Sequence, residues 1–164
     1  MCAGPLAVER TDCSYISAGH RPGGMGCAQC RGDTVHVRKQ YHFWPGDCGL
    51  DAWDVDRLIA LSASFEVEEI DLSSVWEVDT VYWFDEREKP TVRKVIEHAR
   101  LIQEVDLAHP IIVGPDGRVM DGMHRVARAL LEGATTIRAV RFDAIPDPDF
   151  RNCRTDDLPY DERP

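Results

Sequence analysis

Basic residues are scarce in this 164-residue chain: 19 Lys and Arg stand against 29 Asp and Glu, for a net charge of −10. That balance argues against nonspecific binding to nucleic acid over a broad surface, while leaving room for a local basic pocket. Long apolar runs are missing as well. No stretch approaches the roughly 18 residues that a membrane span needs. The first residues lack a basic segment followed by an apolar run, so no secretory signal is expected. The expectation is a cytoplasmic protein with no membrane partner. No internal repeat is visible. The length predicts one domain plus tails, with a core of about 100 residues large enough to fold unaided.

What is present divides unevenly. Residues 1–40 hold 6 of the 12 Gly and 4 of the 6 Cys, and they carry five basic and three acidic residues. Apolar periodicity is absent there, which predicts a flexible Gly/Cys-rich tail. Cys27 and Cys30 form a C-x-x-C that, with Cys13 and His20, is the chain's one zinc candidate. A zinc site of this kind calls for a second matched pair, which the sequence does not supply. A redox pair is the other alternative, inert thiols are the better expectation, and an even count of six does not by itself imply disulfides in a cytosolic protein.

From Tyr41 onward the composition is that of a folded domain, expected over residues 41–142. Asp51 reads as an N-cap, with Asp54 three residues on and Leu50 and Val55 placed for a hydrophobic staple, predicting a helix over 52–63. Val67 to Leu72 suits an exposed strand with Ile70 and Leu72 inward. Thirteen acids and two Arg lie between residues 47 and 88; the expectation is a solvated acidic face, with a metal or basic-partner surface as the alternative. Val81-Tyr82-Trp83-Phe84 reads as packing surface, or as a platform for a protein partner. Pro90-Thr91 opens a second helix, with Val92, Val95, Ile96, Ala99, Ile102 and Val105 as its buried stripe. Thr91, Arg93 and Lys94 place donors near that helix start, a second candidate phosphate contact beside the reading as plain solvated residues. Ile137 to Phe142 closes the domain as a strand. Residues 143–164, with seven acids, three Arg and four Pro, read as an acidic tail.

The centre of the chain is residues 109–133. Ile111-Ile112-Val113 is a short β-branched strand. Pro115-Asp116-Gly117 is a turn, and Arg118-Val119-Met120 returns. The period then changes: Met123, Val126, Ala127, Leu130 and Leu131 fall on one helix face, stopped by Gly133. Asp121-Gly122 therefore sits where strand becomes helix, with His124 and Arg125 in the first turn. A helix start offers backbone N–H groups and a partial positive charge, so it suits an anion. Arg in a first turn opposes the usual preference for Asp and Glu, which makes sense where an anion arrives. The alternative is that Asp121 is a plain N-cap and His124 and Arg125 a solvated face.

The order of these elements resembles the ParB/sulfiredoxin-like domain over about residues 67–142. Gly122-Met123-His124-Arg125 is similar to the Gly-Cys-His-Arg of sulfiredoxins and stands where ParB carries Gly-Glu-Arg-Arg; Pro110-Ile111 matches the start of the preceding strand. The resemblance implies an α+β fold with a small mixed sheet and packed helices. It implies a nucleotide ligand (ATP, ADP or CTP, with Mg²⁺) whose phosphates meet Gly122, Met123, His124 and Arg125, with Asp121 as cap or Mg²⁺ contact. In the related free-serine kinases such a site transfers phosphate to a small hydroxyl substrate. Met123 replaces the sulfiredoxin cysteine, and a thioether cannot attack a phosphorylated sulfinate, so sulfiredoxin activity is not expected. A partition-type DNA role is not expected either, given the acidity and the lack of a following helix-turn-helix. No general base stands out; Glu68, Glu69 and Asp71 are the candidates from the acidic stretch. The competing expectation is a non-catalytic nucleotide sensor or protein-interaction module, and a nuclease ranks below both.

Overall fold

A computed structural model describes residues 39–84 and 89–160. Among these, the protein is α+β, with two small sheets and three α-helices. No described helix is long and apolar enough to cross a membrane. The C-x-x-C and its companions Cys13 and His20 lie outside the described residues.

The first sheet was not foreseen. Tyr41–Pro45 (β1) and Leu50–Asp54 (β2) pair antiparallel, and Phe150–Cys153 (β7) pairs antiparallel with β2. Residues 52–54, expected to be the first turn of a helix capped by Asp51, are therefore strand, as are Leu50 and Asp51: Leu50, Ala52 and Trp53 are buried, and Asp51 faces Trp44 across the ladder. The helix cap is Asp54, whose carboxylate accepts from the Asp56 N–H at 3.0 Å; helix α1 runs Val55–Ser62. The segment read as an acidic tail supplies β7. Leu158 joins Tyr41, Phe43, Leu50 and Ala52 in one apolar cluster, and Phe150 and Cys153 pack on it. Burial pushes the Cys153 thiol above its usual range, which makes it a poor nucleophile at neutral pH.

The second sheet holds the site. Its order is Val67–Asp71 (β3), Thr136–Arg141 (β6), Ile111–Val113 (β4) and Val119–Asp121 (β5). β3 and β5 run antiparallel to their neighbours, while β4 and β6 are parallel, so this sheet is mixed. Both faces are covered, which explains why β4 and β5 read as short unbroken apolar runs rather than as alternation. Ile111, Val113 and Val119 pack toward one side, with Val126 and Ala129 of helix α3 (Met123–Leu131); Ile112 and Met120 pack toward the other, with Leu58 of α1 and Trp53. The β4–β5 turn closes as expected: Gly117 N–H donates to the Gly114 carbonyl at 3.0 Å, Arg118 N–H donates to the Asp116 carboxylate at 3.1 Å, and Gly117 takes φ +83°.

Two helical stripes differ from expectation. On helix α2 (Val92–Glu104) no residue is fully buried, and Val92, Val95 and Ile96 are exposed; the side turned to the domain carries half-buried His98, Leu101 and Ile102. On α3 the buried face is Met123, His124, Arg125, Val126 and Ala129, while Leu130 and Leu131 are exposed. Apolar periodicity says which residues share a face but not what covers it. α3 lies on the sheet through Val126 and Ala129, whereas α2 packs on α3, and the contact between the two helices is partly polar.

Glu77, in a 3-10 turn spanning Trp76–Asp79, is almost fully buried and accepts the Val119 N–H at 2.6 Å. It satisfies the first amide of β5. Glu77→Ala should cost about 1–3 kcal/mol, because that amide would be left without its acceptor. Urea unfolding should show a lower midpoint at an unchanged slope; an unchanged midpoint would mean the amide finds another partner.

Candidate functional site

The site forms where β5 ends and α3 begins. Asp121 is the last residue of β5, and Gly122 is the N-cap of α3 in the left-handed region, at φ +102°. No side chain caps this end among the described residues, so the expected capping role of Asp121 is not seen. The Gly122 carbonyl instead starts the helix, accepting from both Arg125 N–H at 2.9 Å and Val126 N–H at 3.1 Å. The amides before these point out of the helix start, as in any first turn.

Arg125 and His124 are not on a solvated face. Both are buried, with Arg125 7% exposed. The Arg125 guanidinium folds back across the helix start. A Cβ on Gly122 would lie 2.7 Å from its Nη2 and 3.0 Å from its Nε. Nη2 donates to Asp121 Oδ2 at 2.7 Å, a buried ion pair spanning four residues. The neighbouring Nε is buried without a hydrogen-bond partner. Asp121 thus uses half of the guanidinium fork and leaves the adjacent N–H unmatched. An unmet charged donor in such a place costs more than 1–3 kcal/mol unless something arrives to meet it.

His124 makes a second arrangement with residues that periodicity had assigned elsewhere. Its Nε2 lies 3.0 Å from Nδ1 of His98 on α2. The two rings are nearly coplanar, at 15°, with centroids 5.3 Å apart. Trp83 stacks over both, at 4.8 Å and 17° from His124 and at 4.7 Å and 24° from His98. Phe84 meets His98 edge-on at 5.2 Å. The Tyr82-Trp83-Phe84 segment is half-buried, and Trp83 stacks on the histidine pair.

The other candidates fall elsewhere. Thr91 caps α2, accepting from the Lys94 N–H at 3.4 Å; Arg93 is exposed, and Lys94 is half-buried one turn before His98. What α2 brings to the start of α3 is His98. Glu68, Glu69 and Asp71 are on β3, at the opposite edge of the sheet from β5. Glu68 pairs with Arg141 at 2.9 Å, and Asp71 accepts from Ser73 N–H at 2.8 Å; hydrogen bonding from the Ser73 hydroxyl, and then from its N–H, lowers the Asp71 pKa. They are not bases for a reaction at α3. No group of three or more His, Cys, Asp or Glu among the described residues is placed to hold a metal ion. Asp121 alone, already paired to Arg125, is a poor ligand set for Mg²⁺.

The sequence named Gly122, Met123, His124 and Arg125 together and Trp83 as part of an aromatic packing cluster, but it did not bring His98 or Trp83 beside His124. His98 looked like one polar residue among several on α2, and only the α2–α3 packing gives it a partner. No family model matches the chain, and no curated protein or solved structure is significantly similar to it.

Proposed function

We propose that the start of α3 binds the phosphate groups of a nucleotide (ATP, ADP or CTP, carried with Mg²⁺), in the manner implied by the resemblance to ParB/sulfiredoxin-like domains. The observation that carries this reading is the unmatched, buried Arg125 Nε at a helix start with no side-chain cap. A phosphate oxygen would meet that donor and the first-turn amides together, adding charge-assisted bonds at the positive end of the helix. Gly122 lets the guanidinium and the ligand approach the backbone, and Asp121 holds the fork in place. His124, in the same turn, would add a donor or, when protonated, a charge.

Transfer of the phosphate to a small hydroxyl substrate, as in free-serine kinases, is the further step of this reading. It relies on positioning and charge neutralisation before any base. A second reading, nucleotide sensing without chemistry, is favoured by one observation: the acidic base candidates stand across the sheet from α3. Turnover of ATP or ADP with free serine and related alcohols separates the two.

The binding itself is tested by thermal unfolding with ATP, ADP, CTP and GTP, with and without Mg²⁺. At least one should stabilise the protein, by about 2.7 kcal/mol at one hundred times its Kd. Arg125→Lys keeps the charge but loses the fork, and should weaken binding about tenfold or more. No stabilisation by any nucleotide, or equal affinity in Arg125→Lys, would end the proposal.

A further inference from the structure

Helix α2 turns an apolar row to solvent. Val92, Val95, Ile96 and Ala99 fall at i, i+3, i+4 and i+7, so they share one face. That face is not the one α2 lays on α3: Val92 is 77% and Ile96 61% exposed, and Val95 and Ala99 are exposed as well. Single exposed apolar residues are ordinary on any protein, but a continuous row along a helix marks a surface suited to a partner.

The charges beside the row say which partner fits. Arg93, Glu97, Arg100 and Glu104 fall at i, i+4, i+7 and i+11, along one flank of it. Their signs alternate along the helix. Reversing the helix about a point between His98 and Ala99 sets Arg93 against Glu104 and Glu97 against Arg100. An antiparallel copy therefore meets each charge with its opposite, whereas a parallel copy meets each with its like. Ala99, next to the axis of such a pair, is small enough to let two helices approach closely. The existing Arg100–Glu104 pair is an exposed i, i+4 contact of little strength, so both side chains can join a wider network. The helix ends point the same way. The first turn of α2 holds no acid and the last turn no base, with Arg93 at the positive end of the dipole and Glu104 near the negative end. An antiparallel copy brings an acid to the first end and a base to the second.

We propose that this face of α2 is a self-association surface, on which a second copy of the chain docks by two-fold symmetry with its own α2 antiparallel. The pairing is isologous, so the same row and the same flank serve both copies. It gives exposed Arg93 a role at the rim of this contact, and it does not depend on the phosphate reading of α3. The row is short, so the interface falls at the small end of specific contacts and the dimer is weak and concentration-dependent.

Sedimentation equilibrium of the full chain over roughly 5 to 500 μM should show the mass rising from one chain toward two. Ile96→Glu should stay monomeric throughout. Arg93→Glu alone and Glu104→Arg alone should each weaken the dimer about tenfold or more. Mixing those two variants should restore the wild-type strength, because the two reversed charges then face each other and the two natural ones do the same. Restoration on mixing also shows that both variants are folded. A wild-type chain that stays monomeric across the range overturns the proposal, and means that the row serves another protein or residues 1–38. A dimer that survives Ile96→Glu, or single charge reversals that leave association unchanged, overturns it too, by placing the contact elsewhere or in another orientation.

Discussion

Gly122→Ala should destabilise the protein by about 2–5 kcal/mol, far more than the same change at the other described glycines with positive φ. Two costs coincide at this position. The left-handed backbone at φ +102° penalises any Cβ, by about 1–2 kcal/mol. That Cβ would also sit 2.7 Å from Ile111 Cγ2 and 2.7 Å from Arg125 Nη2, distances that force a buried strand residue and a buried guanidinium to move, at about 1–3 kcal/mol. Gly117 and Gly133 separate the two terms. Both have positive φ, but a Cβ at Gly117 meets nothing nearer than 3.8 Å and one at Gly133 nothing within 4 Å. Their Ala variants should therefore show the backbone cost alone. Chemical denaturation of the three variants checks this. Equal losses at all three would mean that Arg125 is free to move away, and that the helix start is a looser site than its geometry indicates. In the tight case Gly122→Ala also displaces the guanidinium and should reduce nucleotide affinity in parallel.

Much of the second sheet was legible in the sequence because local chemistry decides it. Pro115-Asp116-Gly117 allows one kind of turn, β-branched runs flank it, and the period changes at Met123. The same logic located the helix start, where Gly122 and Arg125 are local features. The first sheet was hidden because Asp51 and Asp54 both suit a cap, and the choice between them is made by β7, about a hundred residues away. The stripes of α2 and α3 misled for a related reason. Periodicity says which residues share a face, but whether that face meets a sheet, a helix or water depends on the neighbours. On α2 the apolar row Val92, Val95 and Ile96 is exposed, and His98 takes the inner side because its partner is another imidazole. His124 and Arg125 likewise look like surface residues until Asp121 and His98 are seen beside them.

The Asp121–Arg125 pair allows stability and binding to be pulled apart. Removing either partner alone should cost about 3–5 kcal/mol, because the other charge is left buried and uncompensated. Arg125→Met should also abolish nucleotide binding. Asp121→Asn should do the opposite at the site: it removes a negative charge beside the anion and releases Nη2, so sulfate should bind several-fold more tightly to a less stable protein. If Asp121 also contacts Mg²⁺, that variant should bind Mg²⁺–ADP less tightly while still gaining sulfate affinity, and the contrast between the two ligands measures that role. The double variant Asp121→Leu with Arg125→Met replaces both charges by apolar side chains, and should recover most of the stability lost by the singles. It should remain folded and bind no nucleotide. Wild-type affinity in that folded double variant would show that the pair is there to hold β5 against α3 and not to receive a ligand. Loss of binding with stability regained would tie the anion to Arg125 itself, since a folded helix start with its amides intact would then be insufficient without the guanidinium.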